Sequence, residues 1–134
     1  MLDTNVCIRF LKLQAGAALT ERIGLEAHRQ ALVISSITAG ELAFGVANSA
    51  SPYRARNRQK LDEFCATIPV VEFGLDAALA YGEVRSAMVK QKIGPLDLLI
   101  AAHAVSLRLP LVTGDREFDR VEGLRVEGLR VERW

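Results

Sequence analysis

The chain has 134 residues, of which 50% are hydrophobic and 25% charged, so it can bury the core of one ordinary domain and disorder is not expected. Seventeen basic and 16 acidic residues give a net charge of +1, which excludes a uniformly basic nucleic-acid module and an acidic solvating protein. Cys7 and Cys65 lack metal-site spacing and no apolar stretch is long enough for a membrane span, so we expect a cytoplasmic protein that does not enter a membrane.

Short apolar runs alternate with longer helical patterns along the chain. Runs typical of buried strands lie at residues 1–3, 32–34, 70–73 and 111–113. Apolar residues at intervals of three and four predict helices at residues 16–31, 38–48, 53–66, 76–92 and 95–109. Strands separated by helices of this length indicate an α/β fold in which a parallel sheet carries helices on both faces.

The end of the chain contains a short tandem repeat. VEGLR occurs at residues 121–125 and again at 126–130, and VERW at 131–134 begins a third copy. A five-residue period is too short for a solenoid, so we interpret it as a local duplication that lengthens the terminal segment. The duplication leaves the register of the last strand open.

Four carboxylates fall where predicted strands end or the next helices begin. Asp3 ends the first strand run and Asp115 follows the run at 111–113, whereas Glu41 and Asp97 lie in the first turn of a predicted helix. Ligands bind beyond the carboxyl ends of parallel strands, and these ends meet at one edge of the sheet. Neighbouring carboxylates raise one another's pKa, and a hard divalent cation such as Mg²⁺ relieves this repulsion. The pattern therefore predicts a metal site able to assist phosphodiester hydrolysis.

Each acid also has a purely structural interpretation. Thr38 and Glu41 have the spacing of a capping box, and Asp97 would complement the dipole of its helix. Asp3 would cap the helix that follows it, and Asp115 would form a turn. Taken singly, the structural use is favoured for Glu41 and Asp97. The arrival of all four acids at one sheet edge favours the metal site.

Other polar side chains give weaker signals. His103 lies about 240° around its helix from Asp97, so we expect it to pack or bond locally. The basic segment at residues 52–60 is typical of a solvated surface. Its alternative use is a rim that contacts RNA phosphates through Arg54 and Arg58, which lie four residues apart on one helix face.

Four segments resemble the signatures of PIN domains and, more narrowly, of VapC-type toxins from bacterial type II toxin–antitoxin pairs. They are LDTN at 2–5, TAGEL at 38–42, IGPLDLLIAAHA at 93–104 and LVTGDREF at 111–118. The resemblance implies a single PIN domain over residues 1–134, built as a three-layer α/β sandwich with a central parallel sheet of four to five strands. It also implies an endoribonuclease that depends on Mg²⁺ or Mn²⁺ and leaves 5′-phosphate and 3′-hydroxyl ends.

The resemblance assigns roles to individual positions. The catalytic and metal-binding quartet falls on Asp3, Glu41, Asp97 and Asp115. Supporting polar positions match Thr4, Asn5 and Thr113. Asp119 is an alternative to Asp115 as the fourth acid. The implied partners are an RNA substrate, a second copy of the chain and a VapB-type antitoxin whose C-terminal segment enters the active-site groove, with operator DNA bound through the antitoxin alone.

Two regulatory interpretations stand beside the nuclease. A receiver-like module also has an acidic Mg²⁺ pocket, but it would need a lysine near the end of a late strand, and residues 111–115 contain none. A catalytically silent PIN domain would act through binding alone, and the intact acidic quartet argues against it.

Overall fold

The computed structural model describes residues 1–12, 14–90, 92–120 and 128–134, apart from the side chains of residues 119 and 120. Its helices are α1 (Thr4–Leu11), α2 (Ala17–His28), α3 (Ser36–Ala47), α4 (Ser51–Thr67), α5 (Leu75–Ala87) and α6 (Pro95–Ser106). Its strands are β1 (Ile34–Ser35), β2 (Val70–Val71), β3 (Leu111–Val112) and β4 (Val131–Glu132), and a 3₁₀ helix spans Arg116–Arg120. No helix in these described ranges is both long enough and apolar enough to cross a membrane.

A parallel sheet forms from the four short strands, with Leu2 at its centre. β1 pairs with β2 and β3 pairs with β4, while Leu2 bridges Ile34 on one side and Val112 on the other. The backbone N–H of Leu2 donates to Val33 at 2.9 Å, and that of Asp3 donates to Val112 at 2.9 Å. The order β2–β1–Leu2–β3–β4 confirms the predicted α/β fold with a central parallel sheet.

Two hydrophobic clusters pack on the sheet. One joins Leu2, Ile34 and Val112 to apolar side chains of α1, α2, α3 and α4. The other joins Leu111 to side chains of α5 and α6. Leu111 and Val112 are neighbours in β3 yet belong to different clusters, because successive side chains of a strand point to opposite faces. The helices therefore form one layer on each face, as the three-layer expectation requires.

The start of α3 differs from the prediction. The helix begins at Ser36 rather than at 38, and the hydroxyl of Ser35 caps it by accepting the backbone N–H two residues further on at 3.1 Å. Thr38 lies inside the helix, and its buried hydroxyl has no hydrogen-bond partner among the described residues. The capping-box interpretation of Thr38 and Glu41 is therefore wrong, because Ser35 already occupies the cap position.

Helices α2 and α6 end earlier than their apolar patterns predict. Two positions after the end of each helix the backbone is left-handed. Gln30 after α2 and Arg108 after α6 both have a φ of 55°. A right-handed helix cannot continue through that conformation. At the other end of α6, Pro95 occupies the first turn, where a missing N–H costs nothing, as predicted.

The third copy of the tandem repeat supplies the last strand. Val131 pairs with Leu111 and Glu132 pairs with Val112, which settles the register that the duplication left open. Beside the strand, the Arg22 guanidinium stacks over the Trp134 ring at 4.0 Å from its centroid. Residues 121–127, which hold the first copy and part of the second, lie outside the described residues.

Candidate metal centre

Asp3 follows the central residue of the sheet and begins α1. Its side chain is buried, with 1% of the residue exposed. Oδ1 accepts the backbone N–H of Thr4 and Oδ2 accepts the hydroxyl of Thr113, both at 2.7 Å. Burial raises the pKa of the Asp3 carboxyl, the two hydrogen bonds oppose that shift, and the charges of Asp115 and Glu41 add to it. Asp3 thus caps α1, as predicted, while its carboxylate lies among other acids.

Glu41 is brought to the same place by α3. Its Oε2 accepts a hydrogen bond from the hydroxyl of Thr4, the first residue of α1, at 2.5 Å. Glu41 is half-buried and Thr4 is buried. One hydroxyl therefore joins the second predicted acid to the helix that Asp3 caps.

Asp97 lies in the first turn of α6 and is half-buried. Burial, followed by the charges of Asp3 and Glu41, raises the pKa of Asp97 to about 6. Its carboxylate accepts no hydrogen bond from the described residues, and its Oδ2 lies against Gly94, where an added Cβ would be 2.5 Å away. Gly94 therefore leaves the space that this carboxylate occupies.

Asp115 is held in the loop after β3. Its backbone N–H donates to the hydroxyl of Thr113 at 2.9 Å, and its own Oδ1 accepts the backbone N–H of Glu117 at 2.8 Å. Thr113 is fully buried and donates its proton to Asp3, so one side chain fixes both carboxylate-bearing segments. The guanidinium of Arg133, next to β4, donates to the carbonyl oxygens of Thr113 and Asp115 and so also holds the loop.

The four predicted acids share one electrostatic neighbourhood. The charges of Asp3, Glu41, Asp115 and Glu117 all raise the pKa of Asp97. One carboxylate oxygen each of Asp97, Asp115 and Glu117 lie within 4.8 Å of one another. A set made of carboxylate oxygens alone suits a hard divalent cation and gives little to soft metals. The residues present therefore fit the magnesium or manganese ion that the sequence predicts.

Glu117 is the acid that the sequence interpretation missed. The sequence interpretation considered Asp119 instead as the extra acid near the fourth position. The side chain of Asp119 lies outside the described residues. The available signal was spacing: Glu117 follows Asp115 by two positions at a helix start, where an aspartate commonly accepts the N–H two residues ahead.

The remaining predicted positions lie around this centre or away from it. Asn5 is exposed on α1 and lines a cavity of about 460 Å³ with Arg9, Gly114 and Asp115, among others. Arg54 donates to the backbone carbonyl of Ser49 at 3.4 Å. Neither Arg54 nor Arg58 lines that cavity, and their contact with RNA stays a prediction.

His103 has a structural role, as predicted. It is buried, its Nδ1 lies 2.9 Å from the hydroxyl of Ser35, and its ring packs edge-on against Phe73. The contact with Ser35 links α6, which carries Asp97, to the start of α3, which carries Glu41.

A parallel α/β fold that gathers acids at the carboxyl edge of its sheet defines a class of metal-binding domain, and residues 1–124 match the PIN domain family. The chain belongs to this family. It is 39% identical over 128 residues to the tRNA(fMet)-specific endonuclease VapC of Shigella flexneri, covering 93% of both chains. It is 34% identical to ribonuclease VapC2 of Rickettsia felis, covering 100% of this chain and 96% of that protein.

Solved structures agree with the sequence relatives. The chain superposes with a TM-score of 0.86 on a chain of VapBC2 from Rickettsia felis bound to a promoter DNA fragment, at 32% identity and with 100% of this chain and 97% of that chain covered. It superposes equally well, with a TM-score of 0.86, on DNA-bound VapBC from Salmonella typhimurium at 34% identity. The predicted resemblance to VapC-type proteins is confirmed.

Proposed function

We propose that the protein is a metal-dependent endoribonuclease and the toxin of a type II toxin–antitoxin pair. The observation that carries the proposal is the convergence of Asp3, Glu41, Asp97, Asp115 and Glu117 at one sheet edge, where burial and mutual repulsion raise the pKa of Asp97 to about 6. Repulsion between the carboxylates raises the free energy of the metal-free protein, and a bound divalent cation offsets that repulsion. Relatives with ribonuclease names support RNA as the substrate.

The described residues divide the work of the site. Asp97, Asp115 and Glu117 offer converging oxygens that would hold one Mg²⁺ or Mn²⁺ ion, and Asp3, whose charge acts on Asp97, would complete the ligand set. Glu41, oriented by Thr4, positions water or a second cation. Thr113 keeps Asp3 and the Asp115 loop in register. When bound, the cation lowers the pKa of coordinated water and offsets the negative charge that develops on the phosphodiester.

The test is cleavage of an RNA by the purified protein in Mg²⁺, in Mn²⁺ and in EDTA. The RNA is a transcript of initiator tRNA, tRNA(fMet), because the name of the Shigella flexneri relative specifies it. EDTA should abolish cleavage, and Asp97→Asn should lower its rate at least about 100-fold because a ligand charge is lost. Asp76→Asn is the matched control, since Asp76 is also an acid in the first turn of a helix but is exposed on α5. Undiminished cleavage by Asp97→Asn, or by the protein in EDTA, would contradict the proposal.

The proposal includes an antitoxin and a second copy of the chain as partners. An apolar groove of about 280 Å³ runs between α1, α3 and α4, with Ile8, Leu42 and Val46 in its lining and Glu41 beside them. Such a groove suits an apolar antitoxin segment that reaches the acids. Large apolar side chains are also exposed outside it, including Leu75 and Leu79 on α5.

Expression of the chain alone should arrest growth, and unimpaired growth without an antitoxin would contradict the toxin role.

A further inference from the structure

A second cavity adjoins the metal centre. It measures about 460 Å³ and lies between the exposed side of α1 and the loop after β3, lined by Asn5, Ile8, Arg9, Gly114, Asp115 and Arg116. Its volume is within the range of sites that bind small ligands. Asp115 belongs both to this cavity and to the acidic cluster, so the cavity adjoins the cluster at that residue.

Arg9 reaches across the cavity from α1. It lies four residues after Asn5, so both side chains leave the helix on the same face. Its guanidinium ends next to Gly114, where an added Cβ would be 3.4 Å from one of the terminal nitrogens. The long side chain therefore spans from the helix to the loop that carries Asp115.

The two cations of this cavity have no acidic partner in the described part of the chain. Arg9 and Arg116 are exposed, and neither forms a salt bridge with a described carboxylate, although Asp115 lines the same cavity. Arg58 differs, because Asp62 holds its guanidinium at 2.9 Å. A guanidinium near a carboxylate cluster but without direct pairing keeps its donors for an anion from outside.

We propose that Arg9, assisted by Arg116, binds the RNA phosphate next to the one that is cleaved. The inference rests on the proposed function, because it places the scissile phosphate with the cation among Asp97, Asp115 and Glu117. The Arg9 guanidinium lies beside Gly114 and forms no salt bridge with the described acids although Asp115 lines the same cavity, so its donors face a phosphate that enters this cavity rather than the phosphate at the cation. A cation here also counteracts the repulsion between the acids and the RNA backbone.

Arg9 has one competing structural role. It lies in the last turn of α1, where a positive charge favours the negative end of the helix dipole. That role predicts a small loss of stability on its removal and no change in RNA binding. The phosphate role predicts the reverse.

The experiment measures RNA affinity against salt concentration. Arg9→Ala, Arg9→Gln, Arg9→Lys and Arg116→Ala are made in the Asp97→Asn protein, in which cleavage should be at least about 100-fold slower, and are titrated into a fluorescent initiator tRNA transcript. Loss of one phosphate contact should reduce the slope of log affinity against log salt by about 0.7 to 0.9 and weaken binding about fourfold at ~0.15 M salt. Arg9→Lys should keep the slope, because it keeps the charge.

Arg29→Ala is the matched control. Arg29 is an exposed arginine after α2 that pairs with Glu26 and lines none of the described cavities around the acids, so its removal should leave the salt slope unchanged. In the protein with Asp97 intact, Arg9→Ala should raise KM about fourfold and change kcat less than about twofold. Thermal melts of every variant identify any loss of folding.

The two failures are distinguishable. If the unsubstituted protein does not cleave RNA, the proposed function fails, while the binding titration still reports on Arg9. If both Arg9→Ala and Arg9→Gln keep the salt slope and affinity of the parent, the phosphate site is overturned. A fall in kcat with unchanged KM and affinity would also overturn it, because that pattern places Arg9 at the scissile phosphate.

Discussion

The N-termini of α1 and α6 each bring an aspartate to the same centre, but they hold it in different ways. Asp3 at α1 is buried, and both of its oxygens accept short hydrogen bonds, from Thr4 and Thr113. Asp97 at α6 is half-buried and accepts none from the described residues. The carboxylate of Asp3 is therefore fixed by the framework before any cation binds, whereas that of Asp97 has no hydrogen bond from the described residues to fix it.

The difference shows how a fold can be stable and still hold a site that is poised for a ligand. Hydrogen bonds to Asp3 favour its charged form and offset part of the cost of burying it. No hydrogen bond from the described residues offsets the cost at Asp97, whose pKa is raised to about 6 by burial and by the neighbouring acids. Variants at the two helix starts can separate these roles.

The largest expected effect is on stability at α1. Asp3→Ala should lower the free energy of unfolding by about 2 kcal/mol, because it removes a helix cap and leaves the buried Thr113 hydroxyl without an acceptor. Urea denaturation in EDTA measures the change. Asp97→Ala is the control and should not destabilise the metal-free protein. Equal losses in both variants would show that the two aspartates are held alike.

A smaller effect is expected on metal binding at α6. Gly94→Ala places a Cβ 2.5 Å from the Asp97 carboxylate, which must move away. Binding of Mn²⁺ should weaken about tenfold, as seen when residues that orient a metal ligand are changed. The affinity is measured from the melting temperature of the protein at increasing Mn²⁺ concentrations.

Gly74→Ala is the matched control for Gly94→Ala. Gly74 precedes α5 as Gly94 precedes α6, but a Cβ there meets no atom within 4 Å. Its Mn²⁺ affinity should equal that of the unsubstituted protein. If Gly94→Ala also binds Mn²⁺ normally, the position of the Asp97 carboxylate does not limit metal affinity.

The smallest effect is the pH dependence of stability that Asp97 contributes. Its pKa is about 6 in the folded protein against 3.8 ordinarily, so the folded chain holds the proton more tightly than the unfolded chain. The unfolding free energy of the metal-free protein should therefore fall as pH rises from about 4 to about 6, and the penalty is fully present above that range. Solvent screening at this half-buried group keeps the effect modest.

Asp97→Asn removes this pH dependence. In EDTA the variant should melt at a higher temperature than the unsubstituted protein at about pH 7.5, and the two should converge near about pH 4. Differential scanning calorimetry at the two pH values measures the difference. An advantage for Asp97→Asn that is the same at both pH values would show that the charge of Asp97 is not the cause.

Much of the fold could be predicted because its signals are local. Apolar runs at 32–34, 70–73 and 111–113 gave the three strand positions that pair around Leu2, and Pro95 gave the start of α6. The gathering of Asp3, Glu41 and Asp115 could be predicted because these acids come after parallel strands that end at one edge of the sheet. Asp97 lies in the first turn of α6, which follows α5 with no strand between them in the described residues, so the strand-end rule alone does not place it. The PIN-domain resemblance supplied the family, and the comparisons confirm it.

What could not be predicted depends on choices between neighbouring residues of similar chemistry. Ser35, Ser36 and Thr38 can all cap a helix, and the local sequence does not show that Ser35, which also contacts His103 68 positions away, takes the cap position. Glu117 joins the acids because a hydrogen bond to Asp115 shapes the turn between them. The position of Arg9 near the site could not be predicted, because it depends on the packing of α1 beside the loop at Gly114.

The position of Leu2 ties the evolution of this site to that of the core. Leu2 is fully buried between Ile34 and Val112, and the next residue in the chain is Asp3. No flexible linker separates the packed centre of the sheet from the carboxylate, so a change of one methylene at Leu2 would shift both. Substitutions that alter the core should therefore be selected for activity as strictly as for folding. Thermostabilising designs should leave Leu2, Ile34 and Val112 unchanged.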